Sequence, residues 1–286
     1  MRERPFNASG VQIALLVFAV VFLAWPLQKY LGPLLPSAEE LPRTISRLFI
    51  FVPGIIILLA VPAVRRYCAA ELMTSIPRGS RPEVAGVAAF HVLLFPLAAS
   101  GAIVLWHWSN GGEMALARRL GEQETARAAF ASATSTDGVV LLLLTALAVP
   151  IVEELVFRAM LFRTWEAQWG RMKAIIATSI VFAAYHPIPF IAFCSSLILT
   201  ALYARTRSIR ACILVHALFN GLMWYPLIGQ YAFRTVGKET GEIELWTLHV
   251  VALAALAIAL PLYLWAARDT ASSASTIPVD CAPARS

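Results

Sequence analysis

The sequence predicts an all-α protein, a polytopic membrane helix bundle of about eight transmembrane helices with both termini in the cytoplasm. Two observations predict this class: 59% of the 286 residues are hydrophobic and only 14% are charged, and the apolar residues form long runs. Soluble domains are about half apolar and about a quarter charged, so this composition indicates a lipid bilayer. The net charge of +6 is divided among short clusters between the apolar runs, which argues against a nucleic-acid partner.

Eight apolar segments lie along the chain, most of them near the length of about 20 residues that a membrane-spanning helix needs. They cover residues 11–31, 45–64, 84–108, 138–161, 173–191, 192–206, 209–227 and 246–266. The stretch HPIPF at 186–190 separates the fifth segment from the sixth. Two prolines so close together end a helix, so we expect a tight bend that is surrounded by protein rather than lipid.

The positions of the basic residues predict the topology. Most of the 23 Lys and Arg residues fall on the same side of the membrane as the N-terminus, which predicts that both termini are cytoplasmic. We therefore expect a multi-pass protein of the plasma (inner) membrane. Residues 1–268 are predicted to form one integral membrane domain, and residues 269–286 a disordered polar tail. Within the one long loop, 109–137, the helical spacing of ARRLGEQETARAAF predicts an interfacial helix.

Ionisable residues inside the apolar segments are the functional candidates, because each costs several kcal/mol in a bilayer. VPIVEELVFRAMLFR at 149–163 in the fourth segment contains Glu153, Glu154 and Arg158. Glu154 and Arg158 are four residues apart on one helix face, so we expect a charge-neutralising pair. Glu153 points about 100° away around the helix. A buried carboxylate without a dedicated cation suits a general base or acid.

Two further helices carry polar residues at helical spacing. His216 and Asn220 in HALFN are four residues apart on the seventh segment, and Phe182 and His186 in FAAYH repeat this spacing on the fifth. A single buried His is usually a hydrogen-bonded packing residue, but structural accidents seldom supply a carboxylate, two imidazoles and an amide together. The other three His residues are interpreted as packing residues: His91, His107 and His249.

The predicted depths of these groups in the membrane do not agree. Counted along the helices, Glu153 and His216 fall in the cytoplasmic half, whereas His186 falls near the midplane or beyond it. The three can meet only if the fifth helix tilts or begins further out in the cytoplasm.

This combination of side chains suits the attack of water on an amide. The Glu would deprotonate water with the aid of one His, and the second His and the Asn would donate to the oxyanion. A zinc site is the rival, since His and carboxylate bind zinc, but the HExxH signature is absent. Ser195 and Ser196 are interpreted as small residues for helix packing.

The three motifs match a known family. EELVFR has the form EExxxR, FAAYH the form FxxxH and HALFN the form HxxxN, in this order along the chain. The set resembles the type II CAAX prenyl endopeptidases and their bacterial Abi relatives, the CPBP group of intramembrane proteases. The resemblance covers roughly residues 138–227. It implies an eight-helix core with a cavity open to the cytoplasmic side and a glutamate-dependent hydrolysis of peptide bonds near the membrane.

The resemblance also implies roles for the six polar residues. Glu153 and His186 would activate water, His216 and Asn220 would form the oxyanion hole, and Glu154 and Arg158 would support them. It implies a membrane-anchored peptide or protein substrate, with or without a prenyl group. We expect no cofactor, although the family resemblance leaves a divalent metal open.

Two other functions fit the composition equally well. Buried Glu, His and Arg chains also make the proton relays of transporters, although neither an inverted repeat nor a matched pair of broken helices is found in the sequence. A non-catalytic membrane scaffold or bacteriocin-immunity protein could keep the polar cluster for stability. The motif set favours the endopeptidase.

Overall fold

The computed structural model describes residues 62–99, 101, 102, 105, 109, 143–184, 186, 189–224 and 242–269. Nearly all of these residues are helical, and no strand occurs among them. Three of the described helices are long and apolar enough to cross a membrane: Arg78–Ala99, Pro189–Thr206 and Leu248–Arg268. The helical class is therefore confirmed, whereas the count of eight helices and the orientation of the termini stay predictions.

The described α-helices follow one another in this order: α1 Pro62–Met73, α2 Arg81–Ala89, α3 Val149–Glu154, α4 Arg163–Trp169, α5 Arg171–Ala184, α6 Pro189–Thr206, α7 Ile209–Trp224 and α8 Glu242–Asp269. Three stretches of the wider π-helix, in which N–H groups bond five residues back, continue α2 and flank α3. They are Phe90–Leu94, Leu144–Ala148 and Leu155–Phe162.

The irregular backbone around α3 has a cause in the sequence. Pro150 is the second residue of α3 and is buried. Because proline has no N–H to donate, it removes a hydrogen bond to the preceding turn, where the π-helical stretch Leu144–Ala148 lies. The helix that carries Glu153 and Glu154 is thus irregular on both sides of these residues, as helices at functional sites often are.

The corner between α4 and α5 is held by a glycine and by ion pairs. Gly170 has a φ of +80°, in the region that favours glycine. Glu166 on α4 contacts Arg171 on α5 at 2.8 Å and Arg207, just after α6, at 2.6 Å. Arg207 itself has a φ of 52° and donates its backbone N–H to the Tyr203 carbonyl, which closes α6. The ion pairs tie the ends of three helices together.

A second polar cluster holds α1 against the helix that carries the acidic pair. The Tyr67 hydroxyl donates to the Ala159 carbonyl at 2.6 Å. Glu71, also on α1, accepts a hydrogen bond from the Tyr203 hydroxyl of α6 at 3.1 Å and pairs with Arg163. These contacts join α1, α4, α6 and the π-helical stretch before α4 at one end of the bundle.

The central helix of the described bundle is α6. In its membrane window 72% of the residues are buried, compared with 17% for Leu248–Arg268 at the periphery. α6 packs along α5 and also contacts α7 and α8. The outer face of α8 is apolar, and five of its large side chains are more than half exposed: Val250, Val251, Ile258, Leu262 and Trp265. In a membrane, lipid would cover this face.

Some helix ends differ from the predicted segments. α5 ends at Ala184 and α6 begins at Pro189, which agrees with the bend predicted at 186–190, but the predicted segment limit between 191 and 192 falls inside α6. A proline is favourable as the first helical residue, because the N–H there has no partner within the helix. The helix after Glu154 continues beyond the predicted end at residue 161, through α4 to Trp169.

Several predictions fall on residues outside the described ranges. These are the first segment, residues 45–61 of the second, residues 110–137 of the long loop and residues 270–286 of the tail. The predictions of an interfacial helix, of a polar tail and of a single domain over 1–268 therefore stay predictions.

Candidate active site

A buried ion pair follows directly from the EExxxR spacing. Glu154, the last residue of α3, and Arg158, in the π-helical stretch Leu155–Phe162, have fully buried side chains. Arg158 Nη1 donates to Glu154 Oε1 at 2.9 Å, at the four-residue spacing that places both side chains on one face. The guanidinium also lies 4.7 Å from the centre of the Phe182 ring, in a cation–π contact. Both charges are thereby matched within the bundle.

His216 of α7 connects the two glutamates. Its Nδ1 lies 2.7 Å from Glu154 Oε1, so one oxygen of Glu154 contacts both His216 and Arg158. Because Glu154 Oε1 already accepts from Arg158, we assign the proton of the His216 contact to Nδ1, which donates to the same oxygen. The other nitrogen, Nε2, lies 3.6 Å from Glu153 Oε2, beyond hydrogen-bonding distance. The arrangement orients the ring towards Glu153.

Glu153 is buried but differs from Glu154 in its partners. Only 4% of Glu153 is exposed, and its Oε2 has no hydrogen-bond partner within the described part of the chain. Arg158, the cation on the same helix, instead contacts Glu154 and α6. The i,i+4 geometry predicts this division, since the helix turns Glu153 away from Arg158. The site therefore places an acceptor oxygen of Glu153 next to the imidazole of His216.

His186 lies in the bend between α5 and α6 and is partly exposed. Its Nδ1 lies 2.7 Å from the Phe182 carbonyl oxygen, which can only accept, so Nδ1 donates and Nε2 is the basic nitrogen of a neutral ring. The ring stacks on Phe182 at 4.3 Å, and His216 meets the same ring edge-on at 6.3 Å.

The structure also bears on the depth conflict. His216 lies between the other two groups, since its Nε2 is 3.6 Å from Glu153 Oε2 and its ring meets the Phe182 ring on which His186 stacks. The shared contact with Phe182 brings His186 and His216 to one ring, because α5 ends at Ala184 and the chain bends at His186. Three of the predicted residues, Glu153, His186 and His216, are therefore brought together.

Asn220 lies one helical turn after His216 on α7 and is partly exposed. Its neighbour Gly221 faces the π-helical stretch before α3, where a Cβ added to Gly221 would lie 3.4 Å from the Ala146 Cβ. The close approach of α7 to this stretch brings the HxxxN motif next to the helix that carries Glu153. The amide is on the helix that presents His216, at the spacing of one turn.

Two adjacent serines of α6 have partners that the sequence analysis missed. Arg158 Nη2 donates to Ser196 Oγ at 3.0 Å. Ser195 Oγ lies 3.0 Å from Nε2 of His91, which is fully buried. Both serines are buried, as expected of residues that pack between helices, and each makes a hydrogen bond in addition. His91 is a hydrogen-bonded packing residue, as interpreted. The contacts join residues 38 and 104 positions apart, and no local spacing signals them.

A metal site was the open alternative. Within the described ranges, no group of three or more His, Cys, Asp and Glu side chains is placed to hold a metal ion. The expectation of no cofactor stays a prediction.

One comparison with known proteins gave a match, and it covers the same part of the chain. Residues 135–222 match the family model for Rce1-like proteins, described as type II CAAX prenyl endopeptidase Rce1-like. This segment is Rce1-like. The family recognised from the EExxxR, FxxxH and HxxxN motifs is thereby confirmed, and the Rce1-like segment contains all three motifs. Neither a curated protein nor a solved structure matches the chain.

The Rce1-like segment and the apolar helices together indicate a membrane protein and a peptidase at the level of the family. The narrower CPBP and Abi grouping stays a prediction.

Proposed function

We propose that this protein is an intramembrane endopeptidase of the glutamic type, which hydrolyses a peptide bond of a membrane-anchored protein or peptide. The observation that carries the proposal is the contrast between the two adjacent glutamates. Oε1 of Glu154 contacts both Arg158 and His216, whereas Glu153 pairs with no Lys or Arg among the described residues; Oε2 of each glutamate is buried there without a hydrogen-bond partner. A buried carboxylate oxygen in this state is suited to accept a proton from water.

Glu153 and His186 act on the water in this proposal. The hydrogen bond from His186 Nδ1 to the Phe182 carbonyl leaves Nε2 as the nitrogen with the lone pair. A water that donates one hydrogen to Glu153 can donate the other to this nitrogen. The Phe182 ring that His186 shares with His216, whose Nε2 lies 3.6 Å from Glu153 Oε2, supports this arrangement.

His216 and Asn220 stabilise the oxyanion in this proposal. Because Nδ1–H of His216 is directed to Glu154, the ring can donate to an oxyanion from Nε2 only as the imidazolium. The carboxylate of Glu154 stabilises that cation, so Glu154 supports His216 as well as neutralising Arg158. The Asn220 side-chain N–H is the second donor.

The reaction is an addition followed by an elimination. Glu153 accepts a proton from water as the water oxygen bonds to the carbonyl carbon, and the carbonyl oxygen becomes an oxyanion. The C–N bond then breaks, and the proton passes from Glu153 to the leaving nitrogen. The products are a carboxylic acid and an amine, and Glu153 returns to its carboxylate form.

The location of the site suggests the substrate class. The site lies among helices that include candidate membrane spans, so a peptide must reach it from the bilayer or its surface. The distribution of basic residues predicts a cytoplasmic entrance in a multi-pass plasma-membrane protein. The substrate is a membrane-anchored chain, with or without a prenyl group.

A reconstituted cleavage assay tests the proposal. The full-length protein in lipid vesicles is given a membrane-tethered peptide reporter, prepared with and without a prenyl group on its cysteine. We expect the wild-type protein to cleave at least one reporter and Glu153→Gln to lower kcat by at least about a thousandfold, while the variant accumulates normally. A chelator should leave the wild-type rate unchanged, because no step requires a metal.

Two results would contradict this function. A Glu153→Gln protein that cleaves at the wild-type rate would remove the glutamate mechanism. A wild-type protein that cleaves neither reporter, but carries protons across the vesicle membrane in a Glu153-dependent manner, would support the transporter alternative instead.

A further inference from the structure

Arg158 depends on a second helix for its position. Its side chain is fully buried, with Nη1 on Glu154 and Nη2 on the Ser196 hydroxyl at 3.0 Å. The Ser196 carbonyl lies further away, at 3.5 Å from Nη2. The guanidinium Nε has no hydrogen-bond partner among the described residues. The Ser196 hydroxyl is therefore the short contact that holds Arg158 from α6.

A chain of contacts leads from Ser196 to the proposed base. Ser196 Oγ accepts from Arg158, and Arg158 donates to Glu154 Oε1. The same Oε1 accepts from His216 Nδ1, and Nε2 of His216 faces Glu153 at 3.6 Å. A shift of Arg158 would move an oxygen that also orients His216. The effect of Ser196 on the site thus passes through shared atoms.

The position of α6 makes Ser196 a rigid anchor. Ser196 is fully buried in the most buried of the three candidate membrane spans. At the far end of α6, Arg205 pairs with Glu83 of α2 and Arg207 pairs with Glu166 of α4. Because these ion pairs limit movement of α6 along its axis, the serine hydroxyl has a defined place relative to Arg158.

We propose that Ser196 is a positioning residue for the proposed hydrolysis, acting through Arg158 and Glu154 on the orientation of His216. This inference rests on the proposed function. It assigns no contact between Ser196 and the substrate. Through Arg158, Ser196 keeps the Glu154 oxygen in place. His216 then donates to this oxygen from Nδ1, and its Nε2 faces the reacting carbonyl.

The neighbouring serine provides a matched control. Ser195 also lies on α6, is buried, and makes one hydrogen bond to a buried partner, His91. The His91 ring packs against Phe95 and Phe219, both at 4.8 Å, and does not contact Glu154 or Arg158 by hydrogen bond. Ser195→Ala and Ser196→Ala therefore each remove one hydroxyl from the same helix, but only Ser196→Ala breaks the chain of contacts.

The test compares the two alanine variants on the reporter that the wild-type protein cleaves. We expect Ser196→Ala to lower kcat about tenfold with KM unchanged, and Ser195→Ala to keep kcat within about twofold. Thermal unfolding in detergent should show similar losses for both variants. Ser196→Thr keeps the acceptor hydroxyl and should restore most of kcat.

A spectroscopic measurement checks the same point without turnover. Nitrogen NMR of the full-length protein with labelled histidine has only five His side chains to resolve. The His216 signals, assigned by their loss in His216→Gln, should move clearly further in Ser196→Ala than in Ser195→Ala.

Each outcome has a defined consequence. Equal kcat values and unchanged His216 signals in both variants would overturn the positioning role, even if Glu153→Gln abolishes cleavage. A Ser196→Ala protein that fails to accumulate while Ser195→Ala accumulates would assign Ser196 to folding instead. Full cleavage by Glu153→Gln would contradict the proposed function, whatever the serine variants show.

Discussion

His216 Nδ1 lies 2.7 Å from Oε1 of Glu154, the same oxygen that Arg158 contacts at 2.9 Å. One carboxylate oxygen thus serves a cation of its own helix and an imidazole of α7. This shared oxygen makes Glu154 more than a partner for Arg158, because it also directs the His216 ring towards Glu153. Glu154 thus contributes both to the stability of the bundle and to the orientation of His216. Variants of Glu153 and Glu154 can distinguish an effect on stability from an effect on activity.

Glu154→Gln is expected to lower stability far more than Glu153→Gln. The amide leaves the fully buried Arg158 without a carboxylate, and breaking a buried pair in this way costs about 3 to 5 kcal/mol. Glu153 pairs with no Lys or Arg among the described residues, so Glu153→Gln should unfold at or above the wild-type temperature. Thermal unfolding of the purified proteins in detergent measures both changes.

The double variant Glu154→Gln/Arg158→Gln provides the control for this prediction. Removing both charges should recover part of the stability that Glu154→Gln loses, since the uncompensated cation is gone. Equal stability of Glu154→Gln and the wild-type protein would contradict the ion pair as a stabilising contact.

Asn220→Ala is expected to lower kcat about a hundredfold and to leave KM within about twofold, because an oxyanion donor acts mainly in the transition state. Steady-state cleavage of the tethered reporter measures both constants. Leu218→Ala is a suitable control, since Leu218 lies on the same helix and is 39% exposed on its surface. Unchanged kcat in Asn220→Ala would remove the amide from the oxyanion hole.

Glu166→Gln is expected to lower stability at neutral pH by about 1 kcal/mol through loss of the contacts with Arg171 and Arg207. Burial raises the pKa of Glu166, but the hydrogen bonds and charges of Arg207 and Arg171 outweigh it and lower the pKa below its usual value of 4.5. A carboxylate with a lowered folded pKa stabilises the fold above its unfolded pKa and loses this effect as the pH falls.

The stability difference between the wild-type protein and Glu166→Gln should therefore shrink as the pH drops through 4.5 and vanish below the lowered pKa. Thermal unfolding in detergent between neutral and acidic pH follows this change. Gln168→Ala, at an exposed position of α4, should run parallel to the wild-type curve throughout. A difference that persists unchanged at acidic pH would contradict the ionic origin.

Gly170→Ala is expected to lower stability by about 1 kcal/mol, because Gly170 has a φ of +80° that a residue with a Cβ adopts at a cost. No neighbouring atom of the described residues lies within 4 Å of the added Cβ, so the cost comes from backbone conformation. Gly86→Ala is the matched comparison. Gly86 lies inside α2, and a Cβ added there also has space around it. Because alanine favours a helix interior more than glycine does, Gly86→Ala should raise stability by about 0.5 to 1 kcal/mol. Changes of the same sign at both positions would contradict this account.

Periodicity was informative where the interacting residues are close in sequence. The pairing of Glu154 with Arg158 and the separate orientation of Glu153 follow from 3.6 residues per turn, even though the helix after Glu154 is π-helical. The bend at HPIPF followed from the prolines, but the fact that Pro189 begins the next helix did not. A proline that begins a helix and one that ends a helix look alike in the sequence.

Contacts between helices could not be predicted in this way. The bonds of Ser196 to Arg158 and of Ser195 to His91 depend on how α6 is rotated and shifted against its neighbours. The depth estimate for His186 assumed a straight helix normal to the membrane. In the structure, the ring of Phe182 contacts both His186 and His216, and so shows that they approach each other.

By itself, the sequence determined the helical class and the likeness of residues 135–222 to the Rce1-like family, because composition and motif order carry that information. Local periodicity also predicted that Glu154, rather than Glu153, pairs with Arg158. Only the tertiary structure decided that one oxygen of Glu154 serves both Arg158 and His216, and that Ser196 holds Arg158 from α6. These contacts arise from the packing of buried side chains between helices, where the relative rotation and depth of each helix depend on all the others.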